Sequence, residues 1–325
     1  MMLQDVSLEI IQKCLNNCIH CSSNSNCFSK AILDLPLIKD VIDDIVLMGA
    51  KRLCLSGGEP FLHPELLSIV QYAASKGLTV DIYSSGICGE VGDEHSLSND
   101  ILRECKSVGL NRIMFNLQST QSKVYDSIMQ TQNNFEKVLE SIKRTQQCGI
   151  ETEIHFVPMK QNYKEIGSIL RLAKQLDVCQ VSFLKLVPHG RASAYENDIM
   201  LSQEQLKQVQ EELYSIKKRG EKVRIGLPLS YPENDSGCHA VKEKLYIKFD
   251  GSVFGCEAFK YVRFYDENRQ EIIPDNIKEK KVDEICTSSK YLNRSKALIQ
   301  QYACMNSGCE NCPIQKYLKE KKSNV

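Results

Sequence analysis

An α/β fold is predicted for this chain by three observations. Strand-like and helix-like stretches alternate through the first two-thirds of its 325 residues. Several helical stretches stop at a glycine, as helices commonly do. From about residue 223 the texture changes to short extended runs around a tight turn, so a smaller second region is expected.

Taken in order, residues 6–12 form an apolar strand-like run. Residues 36–48 have helical periodicity and stop at Gly49. Residues 52–56 are a short apolar strand, and 64–76 a helix ended by Gly77. The β-branched stretch 79–84 is a strand, followed by a helix at 100–108 and a strand at 112–117. Residues 133–147 make a helix closed by Gly149. Then come strand 151–157, helix 163–176 and strand 181–185. Six such strand–helix units imply helices covering a parallel sheet, with the chemistry on loops at the carboxyl ends of the strands. Residues 202–219, rich in Gln, Glu and Lys, are expected to be a solvated bridging helix. Residues 244–249 and 252–256 flank Asp250-Gly251, a strong hairpin signal. The expected division is 1–200, a bridging helix and strand over 201–230, and 231–325, with a frayed terminal tail.

Composition narrows the function. Lys+Arg and Asp+Glu are both 41, a formal net charge of zero, which gives no electrostatic basis for nucleic-acid binding. There is no run of 18 apolar residues, so no membrane span is expected. The start M-M-L-Q-D-V lacks a signal-peptide pattern, and the expected location is cytoplasmic. Fifteen cysteines in a chain without a secretion signal favour metal or redox roles over disulfides.

Cys14, Cys18 and Cys21 stand in the spacing C-x3-C-x2-C. About 0.04 matches of this spacing are expected by chance in a chain of this cysteine content. Three thiolates on one loop can hold three irons of a 4Fe–4S cubane and leave the fourth open, whereas such clusters normally take four. An open metal position binds a substrate or cofactor. Zinc is the alternative, but it prefers four closed ligands. Cys27 is left out of the set.

Leu55-Ser56-Gly57-Gly58-Glu59-Pro60 follows the second strand. Two glycines let a backbone approach a ligand closely, and Glu59 can accept from an ammonium. A tight strand–helix turn would use the same residues. Ser84-Ser85-Gly86 ends the third strand, Asn116-Leu117-Gln118-Ser119 the fourth, and Pro188-His189-Gly190-Arg191 follows the sixth. His155 is expected to be a satisfied histidine of a core or barrel lining, His63 a cap or loop residue, and His239 no ligand. Cys54, Cys88, Cys105, Cys148, Cys179 and Cys286 are read as buried small hydrophobes. Of these, Cys88 is the one expected to face an active site.

The second signal is distal. Cys238 is followed by Gly251 and Cys256, and later by Cys304-x4-Cys309-x2-Cys312-Pro313. The expected ligand set is Cys238, Cys256, Cys309 and Cys312, with Cys304 able to replace one. A zinc ribbon is the alternative.

The triad C14-L-N-N-C18-I-H-C21 resembles that of the radical S-adenosylmethionine (radical SAM) superfamily. The distal cysteines resemble the auxiliary-cluster extension called SPASM, or its shorter twitch form. The resemblance implies a partial (β/α)6 TIM-like barrel with a small C-terminal hairpin-based auxiliary-cluster domain. It implies a 4Fe–4S cluster on Cys14, Cys18 and Cys21 that binds SAM and reductively cleaves it to a 5′-deoxyadenosyl radical, and one auxiliary 4Fe–4S cluster. It implies cofactor binding by His20, in the position before the third cysteine, and by Gly57, Gly58, Glu59 and Pro60 at the methionine end. Ser84, Ser85, Asn116 and Gln118 are implied nearby, with Arg191 on the cofactor carboxylate. A flavodoxin- or ferredoxin-type reductant is the implied partner. Relatives of this build mature ribosomally made peptides by crosslinking or epimerisation, the reading favoured here. Others oxidise or epimerise small molecules such as aminocyclitols or sugars. A non-catalytic iron–sulfur or zinc scaffold is the remaining alternative.

Overall fold

A computed structural model describes residues 2–230, 237–303 and 312–323. The first elements are β1 (Asp5–Ile11), α1 (Leu35–Leu47), β2 (Arg52–Gly57), α2 (Leu66–Ser75) and β3 (Thr79–Ser84). A short antiparallel pair, β4 (Ile87–Glu90) and β5 (Asp93–Ser96), precedes α3 (Asn99–Ser107) and β6 (Leu110–Asn116). Next are α4 (Ser122–Met129), α5 (Phe135–Gln147), β7 (Glu151–Phe156), α6 (Ile166–Gln175) and β8 (Gln180–Phe183). Two single turns, α7 (Arg191–Ala194) and α8 (Glu196–Ile199), lead to α9 (Gln203–Lys218) and β9 (Val223–Ile225). The last third holds β10 (Lys244–Ile247), β11 (Val253–Phe254), β12 (Phe264–Tyr265), β13 (Glu271–Ile272), α10 (Val282–Ser288), α11 (Lys290–Ala303) and α12 (Pro313–Ser323).

Nine strands form one sheet in the order β11-β10-β1-β2-β3-β6-β7-β8-β9, parallel except for β11. The six expected strands are its centre. Their side chains alternate. Val6, Leu8 and Ile10 of β1, Val80 and Ile82 of β3, and Ile154 and Phe156 of β7 are buried in the apolar core. The intervening positions are Glu9, Asp81, Tyr83, Glu153 and His155. A parallel sheet with two apolar faces reads as a continuous hydrophobic run. Here the alternation marks an inner face that is polar. On it, Glu153 accepts from Ser182 and from Arg112 at 2.7 Å, and pairs with His155 at 3.1 Å. Burial acts to raise the Glu153 carboxyl, but these hydrogen bonds and the Arg224 charge outweigh it and bring it down to about 2.

The helices form for local reasons. Asp34 caps α1 by accepting from Leu37 N, and Ile38, Val41, Ile42 and Ile45 make its buried stripe. Ser202 and Gln205 form a capping box on α9. That helix corrects the expectation of a solvated bridge: Leu206, Val209, Leu213 and Ile216 are buried. The strand it leads to, β9, is hydrogen-bonded to β8 as an edge of the main sheet. Elements not expected include the β4–β5 pair, α4, and the helices α10, α11 and α12.

The expected hairpin at Asp250-Gly251 is present, with Tyr246 opposite Phe254. It is not free-standing, because β10 runs parallel beside β1 from Asp5↔Lys244 to Leu8↔Ile247. The expected boundary at residue 231 lies outside the described residues.

A buried ion pair fixes this junction. Lys260 Nζ lies 3.3 Å from Glu9 Oε1, both side chains being 1% exposed. The ammonium also donates to Ser23 Oγ at 2.8 Å, Tyr246 OH at 3.1 Å and Ser22 Oγ at 3.2 Å. Ser23 and Tyr246 hydroxyls donate to the same carboxylate. Removing one partner of a buried pair leaves the other charge uncompensated. Lys260→Met is therefore expected to destabilise the protein by about 3–5 kcal/mol, read as a lower midpoint of denaturant unfolding. An unchanged midpoint would refute this tie.

Candidate active site at the carboxyl ends of the strands

The loop after β1 carries Cys14, Cys18 and Cys21, and three neighbours grip its backbone. From the end of β2, Gly58 N donates to Ile11 O at 2.6 Å and Glu59 N to Lys13 O at 2.8 Å. A Cβ on Gly57 would collide with the Ile11 carbonyl, and one on Gly58 with the Lys13 carbonyl. The close approach that the glycine pair permits is thus to the cysteine loop, where the sequence suggested a ligand. From beyond β8, Arg191 N donates to Cys21 O at 3.0 Å, and its guanidinium donates to Cys18 O at 3.2 Å and to Ser25 O. Gly190 has φ +57°, and a Cβ there would lie 2.6 Å from Ser22 O. From α4, Met129 O accepts from Asn17 N at 3.2 Å and Ile128 O from Ile19 N at 3.0 Å.

Cys14 and Cys18 are buried and Cys21 is half-buried. Burial, and then the neighbouring Cys18 and Glu59, push the Cys14 thiol well up. Burial and the Cys21 charge push Cys18 to about 12, with Arg191 opposing. Such thiols ionise at neutral pH only with a cation to hold, as metal ligands do. Among the described residues, no three His, Cys, Asp or Glu side chains converge on a single ion. Three thiols of one loop within electrostatic range of one another are a donor set suited to an iron–sulfur cluster. Buried polar atoms around the loop also lack hydrogen-bond partners among the described residues: both amide atoms of Asn16, His20 Nδ1, Ser25 Oγ and Tyr125 OH. Buried polar groups are normally satisfied, so this loop has room for further chemistry.

The predicted cofactor residues divide into two groups. Glu59 is fully buried. Its Oε1 accepts from Ser84 Oγ at 2.8 Å and Phe61 N at 3.2 Å, and its Oε2 from Ser85 N at 2.7 Å and Ser85 Oγ at 2.5 Å. These four contacts occupy the carboxylate's acceptor sites. Glu59, Ser84 and Ser85 therefore tie the ends of β2 and β3 together. Pro60 opens the 3₁₀ turn Pro60–Leu62 that Glu59 caps. Gln118 is also engaged, donating to His155 O at 3.1 Å and accepting from Val157 N at 2.8 Å. It ties β6 to β7. Arg191 likewise grips the loop, where the sequence suggested a cofactor carboxylate.

His20 and Asn116 do face the loop. Burial, against the Asn116 hydrogen bond, brings His20 down to about 4, so its imidazole is neutral. Its Nε2 is 3.5 Å from Asn116 Nδ2 and is assigned as the acceptor. Nδ1 then carries the proton, and it is the buried atom with no partner.

In the last third, Cys238, Cys256 and Cys312 come within electrostatic range of one another. Cys304 and Cys309 lie outside the described residues. Glu257, missed by sequence reasoning, follows Cys256, is exposed and lies near Tyr83, Cys54 and His155. His155 is the satisfied histidine expected, hydrogen-bonded to Glu153. His63 caps a turn through Glu65 N, and His239 pairs with Glu243. Cys88 is half-buried beside Glu59.

Residues 8–173 match the family model of the radical SAM superfamily. The chain belongs to that superfamily. Residues 238–313 match SPASM, an iron–sulfur cluster-binding domain. As a radical SAM enzyme it uses a 4Fe–4S cluster and SAM, with iron–sulfur binding in the second region as well, and the scaffold reading is set aside. Similar proteins include the AdoMet-dependent heme synthase of Methanosarcina barkeri, 26% identical over 57% of this chain and 51% of that protein. The tungsten-containing aldehyde ferredoxin oxidoreductase cofactor-modifying protein of Pyrococcus furiosus is 24% identical over 87% of this chain and 81% of its own. The chain spans about half the length of the first curated relatives it matches. In fold it is similar to Streptococcus suis SuiB bound to the precursor peptide SuiA, with a TM-score of 0.72 at 14% identity, covering 91% of this chain and 67% of that one. No helix among the described residues is long and apolar enough to cross a membrane.

Gly190→Ala should strain a left-handed residue and push it into the cysteine loop. The expected result is loss of about four irons per chain after anaerobic reconstitution, measured by iron assay. Full iron loading would remove Gly190 from the anchor.

Proposed function

We propose that this radical SAM enzyme matures a ribosomally made peptide by abstracting one substrate hydrogen, followed by crosslinking or epimerisation. We also propose that Cys14, Cys18 and Cys21 hold the reducing cluster. Cys238, Cys256, Cys309 and Cys312 would hold one auxiliary 4Fe–4S cluster, with Cys304 able to replace one. When bound, the first cluster supplies the electron that cleaves SAM to the 5′-deoxyadenosyl radical.

The observation that carries this reading is the polar inner face of the sheet, to which Glu257, next to Cys256, lies close. The chain's own residues then do four things. Gly57, Gly58 and Arg191 hold the cluster loop against β2 and β8. His20 offers a neutral Nδ1–H toward the cofactor. Glu153, His155 and Arg224 line the inner face and keep it polar. Glu257 presents an exposed carboxylate beside Cys256, suited to accept the proton released when the substrate radical is oxidised. The likeness in fold to SuiB with its precursor peptide, across both regions of this chain, supports a peptide substrate. A small-molecule substrate is the second reading, supported by the similarity to the heme synthase. A flavodoxin- or ferredoxin-type protein is the proposed reductant.

Anaerobic reconstitution should give about eight irons per chain, and about four would remove the auxiliary cluster. With reductant and SAM, 5′-deoxyadenosine should form, and Cys14→Ala should abolish it. Cys256→Ala should retain uncoupled cleavage but lose product, read by mass spectrometry. A short reading frame beside the gene supplies the peptide to assay. If it is untouched while a small-molecule candidate is turned over, the second reading holds.

A further inference from the structure

One of the helices that sequence reasoning missed, α4, carries an unassigned group. Tyr125 on α4 has a fully buried ring packed on Phe135, centroids 5.7 Å apart. Its hydroxyl has no hydrogen-bond partner among the described residues. Leaving such a group unsatisfied costs about 1–3 kcal/mol, so an acceptor is expected there. The carbonyls of Ile128 and Met129 accept from the cysteine loop, and Tyr125 sits one turn earlier on the same helix face. The hydroxyl's electrostatic neighbours are Cys18, Asp126, Cys14 and Glu59. Asp126 is occupied by Thr131, Asn133 and Asn134, and Glu59 by Ser84, Ser85 and Phe61. Sulfur is the acceptor that remains.

We propose that the Tyr125 hydroxyl donates an O–H···S hydrogen bond to a sulfur of the cluster held by Cys14, Cys18 and Cys21, and thereby raises its reduction potential. A donor stabilises the reduced, more negative cluster more than the oxidised one, and hydrogen bonds to sulfur are among the established determinants of these potentials. The burial that pushes the phenol well above its ordinary pKa keeps it protonated and able to donate. Tyr125 is a positioning and tuning residue that takes no part in bond breaking.

The proposal rests on the ligand set above, so the test separates the two. The reconstituted holoenzyme is titrated anaerobically by EPR, following the reduced-cluster signal that changes on adding SAM. Tyr125→Phe removes one oxygen and keeps the ring. Its reduction equilibrium should become about tenfold less favourable, a fall of about 59 mV for one electron. Replacing Tyr125 with 3,5-difluorotyrosine, a stronger donor of nearly the same shape, should move the potential upward. If the Phe variant fails to load iron, the fluorinated protein carries the test alone. An unmoved potential in the iron-loaded protein overturns the role of Tyr125. A SAM-responsive signal that persists in Cys14→Ala overturns the ligand set instead.

Discussion

Everything in this site depends on backbone packed directly against backbone. The cysteine loop is a segment with few hydrogen bonds of its own, yet three thiols on it must keep fixed positions. It gains its order from neighbours that reach it through main-chain groups: Gly58 and Glu59 at the end of β2, Arg191 beyond β8, and the last carbonyls of α4. Two of these contacts are possible only where a side chain is missing. Because the partners come from strands two, four and six of the expected series, the loop's geometry reports the closure of the whole sheet. A shift of any one strand would be felt at the thiols.

Legibility in the sequence follows the range of the forces involved. Strand 79–84 and the helix stops at Gly49, Gly77 and Gly149 are local signals, and the structure has them within a residue or two. The triad spacing is local too. The Gly57-Gly58 pair announces a close approach, but one sequence cannot say to what, and the approach is to the Ile11–Lys13 backbone. Glu59 reads equally well as a ligand or as a strut, and its strut contacts to Ser84 and Ser85 are visible only in the folded chain. The α4 sequence S-K-V-Y-D-S-I-M has no capping side chain, and half of its eight residues are polar. It is helical because Tyr125, Ile128 and Met129 are buried, which is a tertiary cause. Glu9 and Lys260 are 251 residues apart, and nothing near either one predicts the other.

The polar inner face shows the same logic at larger scale. A helix-covered parallel sheet would be most stable with apolar side chains on both faces. Here Glu153, His155, Ser182 and Arg224 satisfy one another instead. A fully connected polar network tolerates burial where isolated charges do not. It also leaves a lining that water or a substrate can meet without a large change in its hydrogen bonding.

The pairing of β10 with β1 has a consequence for how the two regions can be inherited. An edge strand left bare presents unpaired N–H and C=O groups to any passing chain. β1 would be such an edge if β10 did not cover it from Asp5 to Leu8. The second region is therefore a guard against self-association of the first as well as a holder of cysteines. A descendant that discarded its cysteines would still have to keep the strand, or grow another in its place.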